Sequence, residues 1–302
     1  MIRSVRIVLS RKGFDAANGG VASPVLPDGR LVSLPIPSEM APVCYGDIRV
    51  NGEQLGPIVE DLTGGRVKRG DRAHLDPDLA RGAIPRLPGW RPAFGQIDSA
   101  QAHLAGQGVT VGDLFLFFGW FRDVGAVAGS WRHRRDAPDR HLVFGWLSIG
   151  EVIPVGPDVR ALLQRHPWLS SHPHVHLGRS SNNAIYVASE RLRVLGDASR
   201  GLPGAGIFET VNDDLVLTKP AQFRRSLWNL PSWFEPIDGR TSLSYHRDEK
   251  RWKRRTTGVD LTTVGRGQEF VLDCTDCPEA IRWAVEIVAR NTPGAKSFAR
   301  ST

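Results

Sequence analysis

The sequence predicts an α+β fold: a curved, mainly antiparallel sheet or partial barrel, wrapped by long ordered loops and packed against a C-terminal helix. Three observations predict it. The centre carries two long apolar runs rich in β-branched and aromatic residues, which suit paired strands. The first hundred residues are dense in proline and glycine, the strongest breakers of regular structure. The last apolar pattern, within residues 278–291, has the spacing of an amphipathic helix.

Taken in order, a short strand from Val5 to Leu9 opens the chain. Residues 19–40 hold Pro24, Pro27, Pro35 and Pro37. Proline cannot donate to a sheet ladder, so this stretch is expected to cross the core as ordered loop and not as a central strand. Pro27-Asp28-Gly29 predicts a turn: proline presets φ, aspartate bonds its own backbone, and glycine accepts positive φ. Residues 60–92, with Gly64-Gly65 and Asp76-Pro77-Asp78, also read as loop. Residues 99–107 predict a short helix capped by Ser99, its alanines facing inward. Leu114 to Phe121, LFLFFGWF, suits a strand buried on both faces. His141 to Val155, HLVFGWLSIGEVIPV, is a second strand in which Gly145 and Gly150 predict bulges or barrel bends. The two runs pair as a long hairpin whose tip, residues 130–140, carries arginines. Asp158 caps a short helix, and strands follow at Ala184 to Ala188 and Gln268 to Asp273. In the final helix Pro278 sits in the first turn, Glu279 complements the dipole, and Ile281, Ala284, Val285, Val288 and Ala289 form the buried stripe. No repeat or composition shift divides the chain. Residues 1–294 read as one domain with its core around 108–190, followed by a flexible tail, 295–302.

The chain has 302 residues, 41% hydrophobic and 24% charged, so it can bury a core and is not disordered as a whole. No apolar run reaches the roughly 20 residues of a membrane span, and the apolar stretch at the N-terminus is too short to be expected to act as a secretory signal. Three cysteines argue against a disulfide scaffold. A soluble cytoplasmic protein without a membrane partner is expected. Lys+Arg is 39 against Asp+Glu 32, a net charge of +7, which favours a nucleotide or nucleic-acid partner.

Several groups of residues point to chemistry. Arg11, Lys12, Gly13 and Asp15 stand at a strand end, followed by Asn18, Gly19 and Gly20. Glycines there let a ligand approach the backbone, and their N–H groups can form an anion nest. Arg11 and Lys12 are the expected phosphate holders, and Asp15 the polar catalytic candidate. The order of residues is neither that of a P-loop nor that of a dinucleotide fingerprint. Tyr245-His246, preceded by Ser244, predicts an acid/base pair, with His103 a further candidate. Asp76 and Asp78 in HLDPDL read as a turn around proline. His172-Pro-His174-Val-His176 would put three imidazoles on one side of an extended strand, but three ligands on one strand diverge too far to close a tetrahedron. They are expected to be surface histidines. Cys274-Thr-Asp-Cys277 has no second C-x-x-C to complete a zinc site and reads as structural. No metal or cofactor is assigned from sequence. Arg132, Arg134 and their neighbours near Trp131 form one basic cluster; Arg251 and its neighbours around Trp252 form another, six basic residues against Asp248 and Glu249. Basic residues interleaved with aromatics suit phosphate contact and base stacking.

SRKGFDAANGGVASPVLPDGRLVSLPIPS, residues 10–38, closely resembles the opening signature of the third nucleotide-modification-associated domain family. GDLFLFFGWFR (112–122), GWLSIGEVI (145–153), NNAIYVAS (182–189) and LPSWFEP with SLSYH (230–246) are similar to later segments of it. The resemblance implies a link to systems that modify bases in DNA, in bacteria and their phages. It implies DNA before RNA as partner, and other members of a modification system beside it. The Gly-Asp turn, the aromatic-ended strand and G-W-L-x-I-G-E-V also resemble the strand pair of PUA-like barrels such as EVE and ASCH. That second resemblance implies a base pocket bordered by Trp120, Phe121 and Trp146. Two functions follow as expectations: an enzyme acting on a nucleotide or DNA base, and a non-catalytic reader that binds a modified base through aromatics and a basic rim. A structural partner of a modification complex is a third class.

Overall fold

The computed structural model describes residues 4–178, 182–194, 201–222, 224–236, 243–265 and 267–292. The tail expected at 295–302 lies outside them. The strands that build the molecule are β1 (Arg6–Arg11), β2 (Ser23–Val25), β3 (Ala93–Ile97), β4 (Leu114–Val127), β5 (Ser130–His133), β6 (Arg140–Pro154), β7 (Asn183–Ala188), β8 (Ala205–Ile207), β9 (Leu227–Leu230), β10 (Trp252–Arg255), β11 (Gly258–Thr262) and β12 (Glu269–Asp273). Among the described residues, nine of them form one mixed sheet whose main path runs β12-β1-β4-β6-β7-β3. β2 and β5 pair with β4, and β8 pairs with β6. Only β1 and β2 run parallel to β4; the other pairings in this sheet are antiparallel. β9, β11 and β10 make a smaller sheet.

The two apolar runs pair as expected. Leu114 lies opposite Ser148 and Phe121 opposite Arg140, and the tip beyond folds back as β5 on the end of β4. The register shifts between Val143 and Gly145 and again between Ile149 and Glu151, so the bulges fall at the two glycines. A β-carbon on Gly150 would stand 2.7 Å from the Ser189 backbone. These bulges curl the sheet into a half-barrel. Its two end strands meet through a side-chain bond: Gln96 Nε2 on β3 donates to Glu269 Oε1 on β12 at 2.7 Å. Within the curl, Phe94, Phe115, Phe117 and Tyr186 interlock, with edge-to-face contacts at centroid distances of 4.9, 5.1 and 5.2 Å.

The proline-rich segment wraps the core and forms a second apolar cluster around Phe14, Leu34, Tyr45, Ile58 and Val59. Two details differ from expectation. Residues 55–63 form helix α1 (Leu55–Thr63), because Pro57 lies in the first turn, where its missing N–H is tolerated, and Gly64 closes the helix at φ +63°. Pro24 does lie in a strand, β2, where its carbonyl accepts from the Val32 N–H. Helix α2 (Asp98–Gly106) starts one residue before Ser99 and buries Gln101 and Leu104, leaving Ala102 and Ala105 exposed. Asp158 caps α3 (Val159–Arg165), its carboxylate accepting from the Ala161 N–H at 2.9 Å. Helix α4 (Pro278–Asn291) buries Ala280, Ala284, Val285, Ile287 and Val288, with Ile281 and Ala289 half-buried at the stripe's edges. No helix among the described residues is long and apolar enough to cross a membrane.

Candidate functional site

Where the ends of the curled sheet approach, a cavity of about 500 Å3 opens at the C-terminal end of β1. Lys12 leaves β1 there, and its Nζ donates to Glu269 Oε1 at 2.7 Å while resting 4.6 Å from the Phe94 ring centre. This pair is nearly dry: the side chains are 9% and 1% exposed. Gln96 shares the same carboxylate oxygen, whereas Glu269 Oε2 is buried without a hydrogen-bond partner among the described residues.

Opposite stands a group that the sequence reading did not assemble. His74, Asp76 and His174 line the same cavity. The HPHVH segment is not an extended surface strand: Pro173 starts a short 3-10 turn, Pro173–Val175, that sends His172 and His174 inward, 2% and 3% exposed. His174 lies flat on Gly95, where a β-carbon would come within 2.2 Å of its ring. Asp76 Oδ1 accepts from the Gly95 N–H at 2.8 Å. Burial pushes the Asp76 carboxyl up, but His174, His172 and His74 around it hold it down at about 2. Burial lowers His74 to about 4 and His172 to about 3, so both rings are neutral near pH 7. One ligand atom from each of His74, Asp76 and His174 falls within 4.8 Å of the others, a spacing that admits a metal ion. His-x-Asp at 74–76 with a distant histidine was the available signal, but one sequence gives no distance between residues 76 and 174. Asp78 plays a different part: it pairs with Arg86 and accepts from Trp90 Nε1.

Of the residues expected to act, Arg11, Lys12, Gly13, Asp15, Asn18 and Tyr245 do converge on this cavity. Their chemistry differs from an anion nest. Asp15 Oδ1 accepts from the Ala17 and Asn18 N–H groups at 2.8 and 2.7 Å, closing its own loop. The N–H groups of Lys12, Phe14 and Gly20 are spent on the carbonyls of Phe118, Leu34 and Asp15. Gly19, at φ +83°, is required because any β-carbon would strike the Phe14 ring at 2.2 Å. Arg11 donates to the carbonyls of Gly265 and Gly267. Four carboxylates in the lining, Asp15, Asp76, Asp98 and Glu269, against two cations, Arg11 and Lys12, leave a formal charge of −2. A phosphate is therefore not the group this lining favours.

Tyr245 is 47% exposed at the rim, its ring 4.4 Å from that of His103. His246 turns the other way. It is fully buried, with Nε2 accepting from the Val264 N–H at 3.1 Å and Nδ1 donating to the Ser244 carbonyl at 2.9 Å, so both ring nitrogens are engaged by backbone. Phe121 and Trp146 are core residues; Trp146 stacks on Phe208 and donates to the Pro203 carbonyl, so neither can border a base. Trp120 lies outside the lining, with Arg225 4.1 Å over its ring. Arg132 donates to the Asp61 carbonyl, Arg134 pairs with Asp136 and Arg251 donates to the Thr262 carbonyl, all away from the cavity. Cys274 is buried, and burial pushes its thiol up to about 12, unlike a redox thiol.

The molecule is thus a half-barrel with a hollow of ionisable side chains at its seam. Residues 6–273 match nucleotide modification associated domain 3, and the chain belongs to that family. The match covers β1 through β12 and stops before α4. No curated protein and no solved structure matches the chain.

Proposed function

We propose that the protein acts chemically on a nucleobase, carried by a nucleotide or flipped out of DNA, in the cavity at the end of β1. The observation that carries this reading is the dry Lys12–Glu269 pair facing Asp76 across that hollow, with one glutamate oxygen left without a hydrogen-bond partner among the described residues. Buried acids and bases facing a cleft are what proton transfer to a base requires. The hollow's size falls within the roughly 300–1,000 Å3 of small-ligand clefts. Family membership supports an association with nucleotide modification. Glu269 and Lys12 serve as the acid/base groups, Tyr245 as a donor at the rim, and Asp15 orients the loop over the entrance. DNA is the partner, and other components of a DNA-modification system act before or after this step. A reader needs an aromatic cage, and none of Trp120, Phe121 and Trp146 lines the hollow.

Mass spectrometry of nucleosides, from DNA and nucleotide pools incubated with the protein and the products of neighbouring genes, tests this. A mass-shifted nucleoside is expected with the native chain, falling at least 100-fold with Glu269→Gln. Asp15→Asn keeps the Oδ1 acceptor of its loop and is expected to lower turnover about tenfold at unchanged Tm. Tight binding of a modified base with no mass change would establish the reader instead.

A further inference from the structure

We propose that His74, Asp76 and His174 hold a divalent transition-metal ion of the imidazole-binding class, such as Zn2+ or Fe2+, with an open position facing the cavity. The inference goes beyond the nucleobase reading and does not depend on it.

The side chains are set as ligands are set. Asn183 Nδ2 donates to the His174 carbonyl at 2.9 Å, which fixes the amide so that its Oδ1 accepts from His174 Nδ1 at 2.8 Å. In the neutral ring this places the proton on Nδ1 and leaves the lone pair of Nε2 facing Asp76 Oδ2 at 3.5 Å. His74 Nε2 faces the same oxygen at 3.8 Å. Both distances are too long for hydrogen bonds. They are close to the spacing of about 3.4 Å that neighbouring ligand atoms take around a tetrahedral ion with bonds of about 2.0–2.2 Å. Asp76 Oδ1 is turned away to the Gly95 N–H, which leaves Oδ2 towards the two imidazoles. Orienting partners of this kind, behind a histidine and a carboxylate, are the outer-shell pattern of metal centres.

A second observation points the same way. His172 Nδ1 accepts from the His174 N–H, so its proton sits on Nε2. That nitrogen lies 3.6 Å from Asp76 Oδ1, buried and without a hydrogen-bond partner among the described residues. It acts as a positioning residue behind the carboxylate. The lining also carries the formal charge of −2 described above, which a divalent cation neutralises. Two imidazoles and one carboxylate select against Mg2+ and Ca2+, which take oxygen ligands. Three protein ligands leave a position for water or a substrate atom.

The test needs no substrate. Protein stripped with a chelator is titrated with Zn2+, Co2+ and, as the hard-ion control, Mg2+, with bound metal measured by elemental analysis and Co2+ by its visible absorption. One Zn2+ or Co2+ per chain is expected, with no saturable Mg2+. His174→Ala and His74→Ala should each weaken Zn2+ at least 100-fold, with circular dichroism confirming the fold. His74 is the less buried ligand, and its variant decides if His174→Ala fails to fold. Cys274→Ser/Cys277→Ser should keep the full stoichiometry. Failure to bind one ion, undiminished binding in His74→Ala, or loss in the cysteine variant would each overturn the site, and none of these bears on the nucleobase reading.

Discussion

Two histidines outside the cavity lining show how a ring's neighbours decide its work. His141 accepts from Trp228 Nε1 at 2.9 Å, and His246 is held between the Ser244 carbonyl and the Val264 N–H. Burial lowers His141 to about 3 and His246 to about 4, against 6.5 for a free ring. A lowered folded pKa means that stability is complete above pH 6.5 and is lost as pH falls towards those values. Urea unfolding between pH 7 and 5 is expected to show a loss of roughly 1.4 kcal/mol per pH unit for each such ring. His141→Gln, which keeps an acceptor for Trp228, should flatten that slope. At the same scale, Lys12→Met leaves Glu269 charged and buried, with an expected loss of about 3–5 kcal/mol that Glu269→Gln in the same chain largely restores. Types of residue were legible before the fold: Lys12, Asp15 and Tyr245 were read as candidates and do share a hollow. Which way a side chain turns was not. His246 and Tyr245 are neighbours in the chain, yet one is wholly buried and the other half exposed.

Elements with strong local signals were legible. β4 and β6 carry long apolar runs, and the register shifts beside Gly145 and Gly150 follow from residues that lack a β-carbon. Gly150→Ala forces a contact with the Ser189 backbone that cannot rotate away, and should cost about 1–3 kcal/mol in thermal or urea unfolding. Gly106→Ala, at the end of α2 with nothing within 4 Å, should instead be neutral or stabilise by up to about 1 kcal/mol. Elements fixed by distant packing were not legible. Helix α1 contains Gly56 and Pro57 and holds because Ile58, Val59 and Leu62 enter the second apolar cluster. The turn at Pro173 is set by its seat against β3 and β7, through Gly95 and Asn183.

For the molecule as a whole, charge is divided. The chain carries +7, yet the hollow carries −2. Many of the outer arginines lean on nearby acids, as Arg140 does on Asp123 and Arg255 on Asp260. Association with DNA, measured by fluorescence anisotropy, should weaken at least tenfold between about 50 and 200 mM salt. Tyr245→Ala at the rim should leave that slope unchanged, because it removes no charge. The hollow also gathers its walls from widely separated stretches: residues 11–18, 36, 74–76, 95–100, 174–177, 245 and 267–269. A fragment limited to the strand-rich middle, 108–190, would inherit only His174 and Leu177 of that lining. The seam thus makes the hollow indivisible: its walls reach from Arg11 at the end of β1 to Glu269 at the start of β12, so only a chain that keeps both strands encloses it.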